Sequence, residues 1–147
     1  MKIPISVLVV IYKSNRDVLL IERADRAGFW QSVTGSLDAP NEDLSLAATR
    51  EVFEETGIAV DRLPVGALSN MHQQIEYEIY PEWRFRYAPG VTRNTEHWFS
   101  LQVPDDIHIQ LSPREHVAYQ WLPFAEAAKK CFSRSNGEAI LQLFSAY

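Results

Sequence analysis

A chain of 147 residues with 46% apolar and 12% aromatic side chains can bury a core of its own and is too apolar for a disordered tail, so one domain over residues 1–147 is expected. A net charge of −5 argues against a dedicated nucleic-acid binder, whose phosphate affinity comes from clustered Lys and Arg, and Cys131 as the sole cysteine excludes an intramolecular disulfide. The apolar run at residues 7–11 is too short to span a bilayer and carries no signal-peptide cleavage pattern, so a cytoplasmic protein with neither membrane nor nucleic acid as partner is expected.

In chain order, residues 3–12 are rich in Val and Ile with almost no polar interruption, the pattern of a central strand buried on both faces. Residues 14–17 form a turn and 18–22 the returning strand. Arg23 at its end is either a solvated arginine or a substrate contact. Residues 31–35 are a short strand ending at Gly35, whose conformational freedom suits the swing from strand to loop. A helix follows, with Asn41 as candidate cap, Glu42 and Asp43 in its first turn, and Gly57 as its stop. Leu46 and Phe53 fall on one flank, Ala48 and Val52 on another, which suggests a helix clamped beside a sheet.

Residues 63–80 are strand-rich, alternating at Ile75, Tyr77 and Ile79, and Pro81 breaks the pattern. In residues 82–90 arginines alternate with aromatics. They are either a platform for a flat heterocycle and its phosphates or a strand with aromatics inward and arginines outward. Residues 95–103 and 117–122 are strands, with a polar loop, 112–116, before the second. In that loop Glu115 can offer a carboxylate and His116 proton transfer. Residues 125–132 and 137–144 are helical, joined by a link rich in capping residues.

The chemistry concentrates in Arg50-Glu51-Val52-Phe53-Glu54-Glu55-Thr56-Gly57. At ~100° per residue, Glu51, Glu54 and Glu55 project from about one third of a helix surface. Like charges at this spacing destabilise a helix, and no lysine lies between Lys13 and Lys129 to offset them. A solvated acidic face is the alternative. The apolar neighbours Ala47, Ala48, Val52, Phe53 and Ile58 favour a cleft holding an oxygen-seeking divalent cation. Arg50, four residues before Glu54 and eight after Glu42, suits a partner that orients the carboxylates. Mg²⁺ held by such acids suits phosphate chemistry, because it keeps several waters while binding one or two carboxylates and phosphate oxygens.

Gly35, Glu42 and the run from Arg50 to Ile58 resemble the Nudix box: Gly, five residues, Glu, seven residues, Arg-Glu-apolar-any-Glu-Glu-any-Gly-apolar. The second half matches throughout. Six residues (36–41) separate Gly35 from Glu42 where the box has five, so the loop carries one extra residue. The resemblance implies the Nudix fold, an α/β/α sandwich around a mixed β-sheet, and hydrolysis of a diphosphate bond in a nucleoside diphosphate linked to another group, a small-molecule substrate. It also implies Glu51 and Glu55 as metal ligands, Glu54 as a further ligand or water activator, and Mg²⁺, with Mn²⁺ able to substitute.

A narrower likeness rests on residues 29–36, 86–96 and 115–119, which are similar to the bacterial dihydroneopterin triphosphate pyrophosphatases. It implies conversion of a pterin triphosphate to the monophosphate and pyrophosphate in folate biosynthesis. It further implies Glu115 completing the metal site, and Lys2, Arg23, Thr34, Tyr77, Glu78, Ile79, Tyr80 and Ser133 touching substrate. Glu54, Glu115 and His116 remain alternatives for the general base. A general (d)NTP pyrophosphohydrolase is the competing activity. A non-catalytic Nudix-like nucleotide-binding module is the competing class, and such a module is expected to have lost box glutamates that this chain keeps.

Overall fold

The computed structural model describes residues 1–145, in which a seven-stranded mixed sheet carries helices on both faces. The strands are β1 (Ile5–Tyr12), β2 (Asp17–Arg23), β3 (Trp30–Gln31), β4 (Val33–Ser36), β5 (Leu68–Glu78), β6 (Arg93–Gln102) and β7 (His116–Pro123). The helices are α1 (Leu44–Thr56), α2 (Phe124–Lys130) and α3 (Arg134–Phe144). β1 is central. It runs parallel to β6, from Ile5 opposite Thr95 to Tyr12 opposite Gln102, and antiparallel to β4, from Ser6 opposite Ser36 to Val9 opposite Val33. β2 turns away after Tyr12 and pairs with β7, and β5 pairs antiparallel with β6.

The uninterrupted apolar run of β1 has its reason in this layering. Alternate side chains point to opposite faces, so Val7, Val9 and Ile11 pack with Ala47, Ala48 and Val52 of α1, together with Phe99 and Leu101. Leu8 and Val10 pack on the other side with Ala127, Ala139, Ile140 and Phe144 of α2 and α3. Where β1 is covered on both faces, residues 7–11 are all apolar, while the buried Ser6 near its start accepts a hydrogen bond from Asn94. Among the described residues no helix is long and apolar enough to cross a membrane.

Several local expectations are corrected. The cap of α1 is Asp43, whose carboxylate accepts the Leu46 N–H at 3.1 Å, and not Asn41. Glu42 lies before the helix and turns back to Arg50 and to the Asp38 N–H. Leu46 and Phe53 are 65% and 58% exposed, because the small Ala47 and Ala48 let the sheet approach on their side of the helix. The strand pattern over residues 63–80 narrows to β5, with a register shift between Asn70 and Gln74. The aromatic–arginine segment is no strand: Pro81–Arg86 is a short 3-10 helix with Pro81 in its first turn, where a missing N–H costs nothing. Gly57 ends α1 as expected, at φ 75° with its N–H on the Phe53 carbonyl.

Phe99 is fully buried against α1. Phe99→Ala is therefore expected to lower the unfolding free energy by about 3–5 kcal/mol, read as a lower urea midpoint at unchanged m-value. Phe53→Ala on the outer flank of α1 is expected to change it by about 0.5 kcal/mol or less.

Candidate active site

A cavity of about 1130 Å³ opens where the start of β1, β4, the inner flank of α1, the end of β5, the 3-10 helix, the turn before β7 and the start of α3 converge. Three kinds of wall line it: carboxylates from α1, cations from the N-terminus and β2, and aromatics from the 3-10 helix and the segment before α3.

On the acidic wall, Glu51 and Glu55 are buried one turn apart. Glu51 rests over Gly35, where a Cβ would land on its carboxyl group. Gly35 lies within β4 and is absent from the glycines at positive φ. Its lack of a side chain therefore matters for this close approach, not for the turning freedom anticipated from the sequence. Arg50 donates to Glu51 at 2.7 Å, to Glu42 at 3.1 Å and to the Ser36 carbonyl at 3.2 Å. It also stands 3.1 Å from Asp38 and 3.6 Å from the half-exposed Glu54. Burial opposes the guanidinium charge, but the hydrogen bonds it donates to Glu42 and Glu51 outweigh it and raise its pKa. The extra loop residue thus leaves Glu42 paired with Arg50, although Glu42 does not itself line the cavity.

Glu55 is 1% exposed, and neither of its oxygens has a hydrogen-bond partner among the described residues. Burial, with Glu51 beside it, pushes its pKa well above the ordinary value. Across the cavity the Ser112 carbonyl accepts the N–H groups of both Glu115 and His116 at 3.0 Å, and this turn brings both side chains towards Glu55. Ligating atoms of Glu55, Glu115 and His116 lie within 4.8 Å of one another, with His116 Nε2 3.6 Å from Glu55 Oε1. Burial and the nearby Arg23 lower the His116 pKa to about 4, so the imidazole is neutral.

The cationic wall contains Lys2 and Arg23, joined by Arg86. Arg23 makes a two-pronged pair with Asp25 at 2.7 and 2.8 Å, and Arg86 reaches the same carboxylate at 3.3 Å. Hydrogen bonding from Arg23 holds Asp25 down at about 2. Burial and the neighbouring Arg86 and Arg23 lower the Lys2 pKa. On the aromatic wall Trp83 stands 5.2 Å from Tyr80 and 6.3 Å from Phe132, and Phe132 stacks on Phe29 at 4.6 Å. Arg23 lies over Trp83 at 4.5 Å.

Each of the eight residues anticipated as substrate contacts lines this cavity. Thr34 receives a hydrogen bond from Gln31. Tyr77, Glu78, Ile79 and Tyr80 come from the end of β5 and the residues after it, and Ser133 caps α3. Asn94 and Glu96 on β6 also line it and were not anticipated. Their signal is faint: two polar residues two positions apart, just before Trp98 and Phe99, on one face of a strand.

The NUDIX domain model matches residues 2–143. The chain belongs to this family, whose fold its mixed sheet and flanking helices reproduce. It is 46% identical over 142 residues to the dihydroneopterin triphosphate diphosphatase of Escherichia coli K12, covering 96% of this chain and 92% of that one. The enzyme of the same name from Haemophilus influenzae is 39% identical over 136 residues, or 92% and 84% of the two chains. The structure of the E. coli dihydroneopterin triphosphate pyrophosphohydrolase superposes with a TM-score of 0.89 at 44% identity, over 99% of this chain and 98% of that one.

The donor set fits a divalent cation. Oxygen donors predominate, as hard cations require, and the two unpartnered Glu55 oxygens are acceptors that a cation would satisfy. Gly35→Ala is expected to displace the Glu51 carboxyl and weaken Mn²⁺ binding at least tenfold, measured by calorimetric titration, while far-UV circular dichroism stays unchanged.

Proposed function

We propose that this protein is a divalent-cation-dependent pyrophosphohydrolase that converts 7,8-dihydroneopterin triphosphate to its monophosphate and pyrophosphate. The observation that carries the reading is the buried, unpartnered carboxylate of Glu55 beside Glu51 and Glu115, in a cavity that also has a cationic and an aromatic wall. Two relatives of 46% and 39% identity with that activity in their names support the choice of substrate.

Glu51, Glu55 and Glu115 would hold Mg²⁺, or Mn²⁺ in its place, with Glu54 at the rim as a further ligand. The cation supplies neutralisation of phosphate charge and activation of water. Arg50 fixes Glu51 by a charge-assisted hydrogen bond, so that the carboxylate needs little reorganisation when charge develops. Lys2, Arg23 and Arg86 attract and orient the triphosphate. Tyr80, Trp83 and Phe132 offer faces to the flat ring. Water adds across the anhydride between the α and β phosphates, breaking that P–O bond. Glu54, Glu115 and His116, which line the cavity, are the candidates to take its proton. Thr34, Tyr77 and Ser133 border the space between the two ends of the substrate.

Glu51→Gln and Glu55→Gln are each expected to lower kcat at least 10²-fold, as loss of transition-state charge stabilisation does. The decisive assay follows pyrophosphate against monophosphate phosphate release from dihydroneopterin triphosphate with and without Mg²⁺. Pyrophosphate release that needs the cation, with kcat/KM above that for dATP, is expected. A preference for dATP returns the protein to a general nucleotide pyrophosphohydrolase, and unchanged release by both variants removes the enzyme reading.

A further inference from the structure

Glu96 is an acid in the interior that the reaction chemistry leaves unused. It is 3% exposed, on β6, and lines the same cavity away from α1. Trp98 Nε1 donates to its Oε1 at 3.0 Å and Ser135 Oγ to the same atom at 3.4 Å, so Oε2 accepts no hydrogen bond among the described residues. Burial pushes its pKa up to about 7 against the pull of those two donors, so further N–H donors would stabilise its anion. Two positions away on the same face, Asn94 is 1% exposed. Its Nδ2 donates to Ser6 Oγ at 2.7 Å and to the Tyr77 hydroxyl at 3.1 Å, while its Oδ1 is buried with no partner among the described residues. The two side chains therefore present acceptors and no free donor.

A buried carboxylate short of donors is costly unless a ligand brings them. Pterins carry such donors: the ring N3–H and the exocyclic 2-amino group lie side by side on one edge, parallel and spaced like the two oxygens of a carboxylate. The aromatic wall of Tyr80, Trp83 and Phe132 borders the same space. The acidic wall and Glu96 line the same cavity, and strand register places Glu96 relative to β4, over which Glu51 rests. Ser36, Ser6 and Glu96 are aligned on β4, β1 and β6, so Glu96 sits two strand spacings, roughly 10 Å, from the strand that carries Gly35. A triphosphate on a short side chain bridges a gap of that order.

The geometry points to Glu96, with the Asn94 carbonyl beside it, as the residue that selects the substrate by accepting the 2-amino and N3–H pair of the pterin ring. This assignment rests on the substrate reading above. It makes Glu96 a specificity-determining residue with no part in the bond-breaking step.

Two measurements test it. Pterin and lumazine differ in the group at C2, an amine in the first and a carbonyl in the second, and each is assayed as a competitor of the wild-type enzyme. Pterin is expected to inhibit at least tenfold more strongly, and equal inhibition overturns the assignment. Glu96→Gln keeps the side-chain shape and an oxygen for Trp98 but turns a donor towards the ring. It is expected to lower kcat/KM for dihydroneopterin triphosphate about 10²-fold, mainly through KM, as unpaired buried groups do. That fall should exceed the fall for dTTP, whose ring has no exocyclic amine, by at least tenfold. Equal falls for both substrates, or none, overturn it. Should the variant not fold, the wild-type competition decides. A wild-type preference for dATP defeats the substrate reading by itself, whereas a wild-type preference for the pterin triphosphate with no pterin–lumazine difference defeats only the role of Glu96.

Discussion

The structure turns on a surplus of negative charge held rigidly against a sheet. One guanidinium, Arg50, meets Asp38, Glu42, Glu51 and Glu54 within 4 Å, and Glu55 is buried with no hydrogen-bond donor to its oxygens among the described residues. Carboxylates gathered in this way repel, and burial removes the water that would screen them. α1 tolerates the arrangement because its other side is locked: Ala47, Ala48 and Val52 are fully buried against β1 and its neighbours. Hydrophobic contact on one flank thus keeps the acids of the other from moving apart. A cluster strained in this sense is one that a bound cation could relieve.

Charge and shape also divide the cavity into zones. The acids come from α1 and the turn before β7, the cations from the chain start and β2, and the aromatics from the 3-10 helix and the approach to α3. Asp25 ties two of the cations together through Arg23 and Arg86, so that two like charges can stand close without a bound phosphate. Each zone is thereby composed before substrate arrives, and preorganisation of this kind lowers the reorganisation needed at the moment of reaction.

The parts of the fold visible in the sequence are those decided locally. The unbroken apolar run of β1, the glycine stop of α1 and the acidic stripe each follow from a short-range rule, and the structure has them where the rules put them. The parts that were misread depended on distant partners. Asn41 and Asp43 are both good caps, and the choice fell to Asp43 because Arg50 draws Glu42 out of the helix. Leu46 and Phe53 look like core residues by type, yet the face buried is the one where alanines allow the backbone close to the sheet. Gly35 read as a flexible joint, whereas its constraint comes from Glu51, sixteen residues on. Glu96 carried almost no signal, since an acid on a strand is ordinarily a solvent-facing one and its burial is created by Trp98 and Ser135.

The mixed topology gives these distant contacts a common frame. β1 pairs with β4 on one side and with β6 on the other, so the strand bearing Gly35 and the strand bearing Glu96 are held by the same ladder of backbone hydrogen bonds. Neighbouring residues on a strand face opposite ways. Gly35 therefore gives its bare face to Glu51 on the α1 side, while Thr34 faces the other way, and all three line the cavity. Strand spacing, which varies little, sets the separation between the backbones of β4 and β6, and α1 packs on that same sheet. Elements of that stiffness hold a constellation more closely than loops can. Under the proposed reading, a substrate with a charged end and a flat end would span a cavity framed by the sheet, with the loops around it supplying charge and aromatic surface.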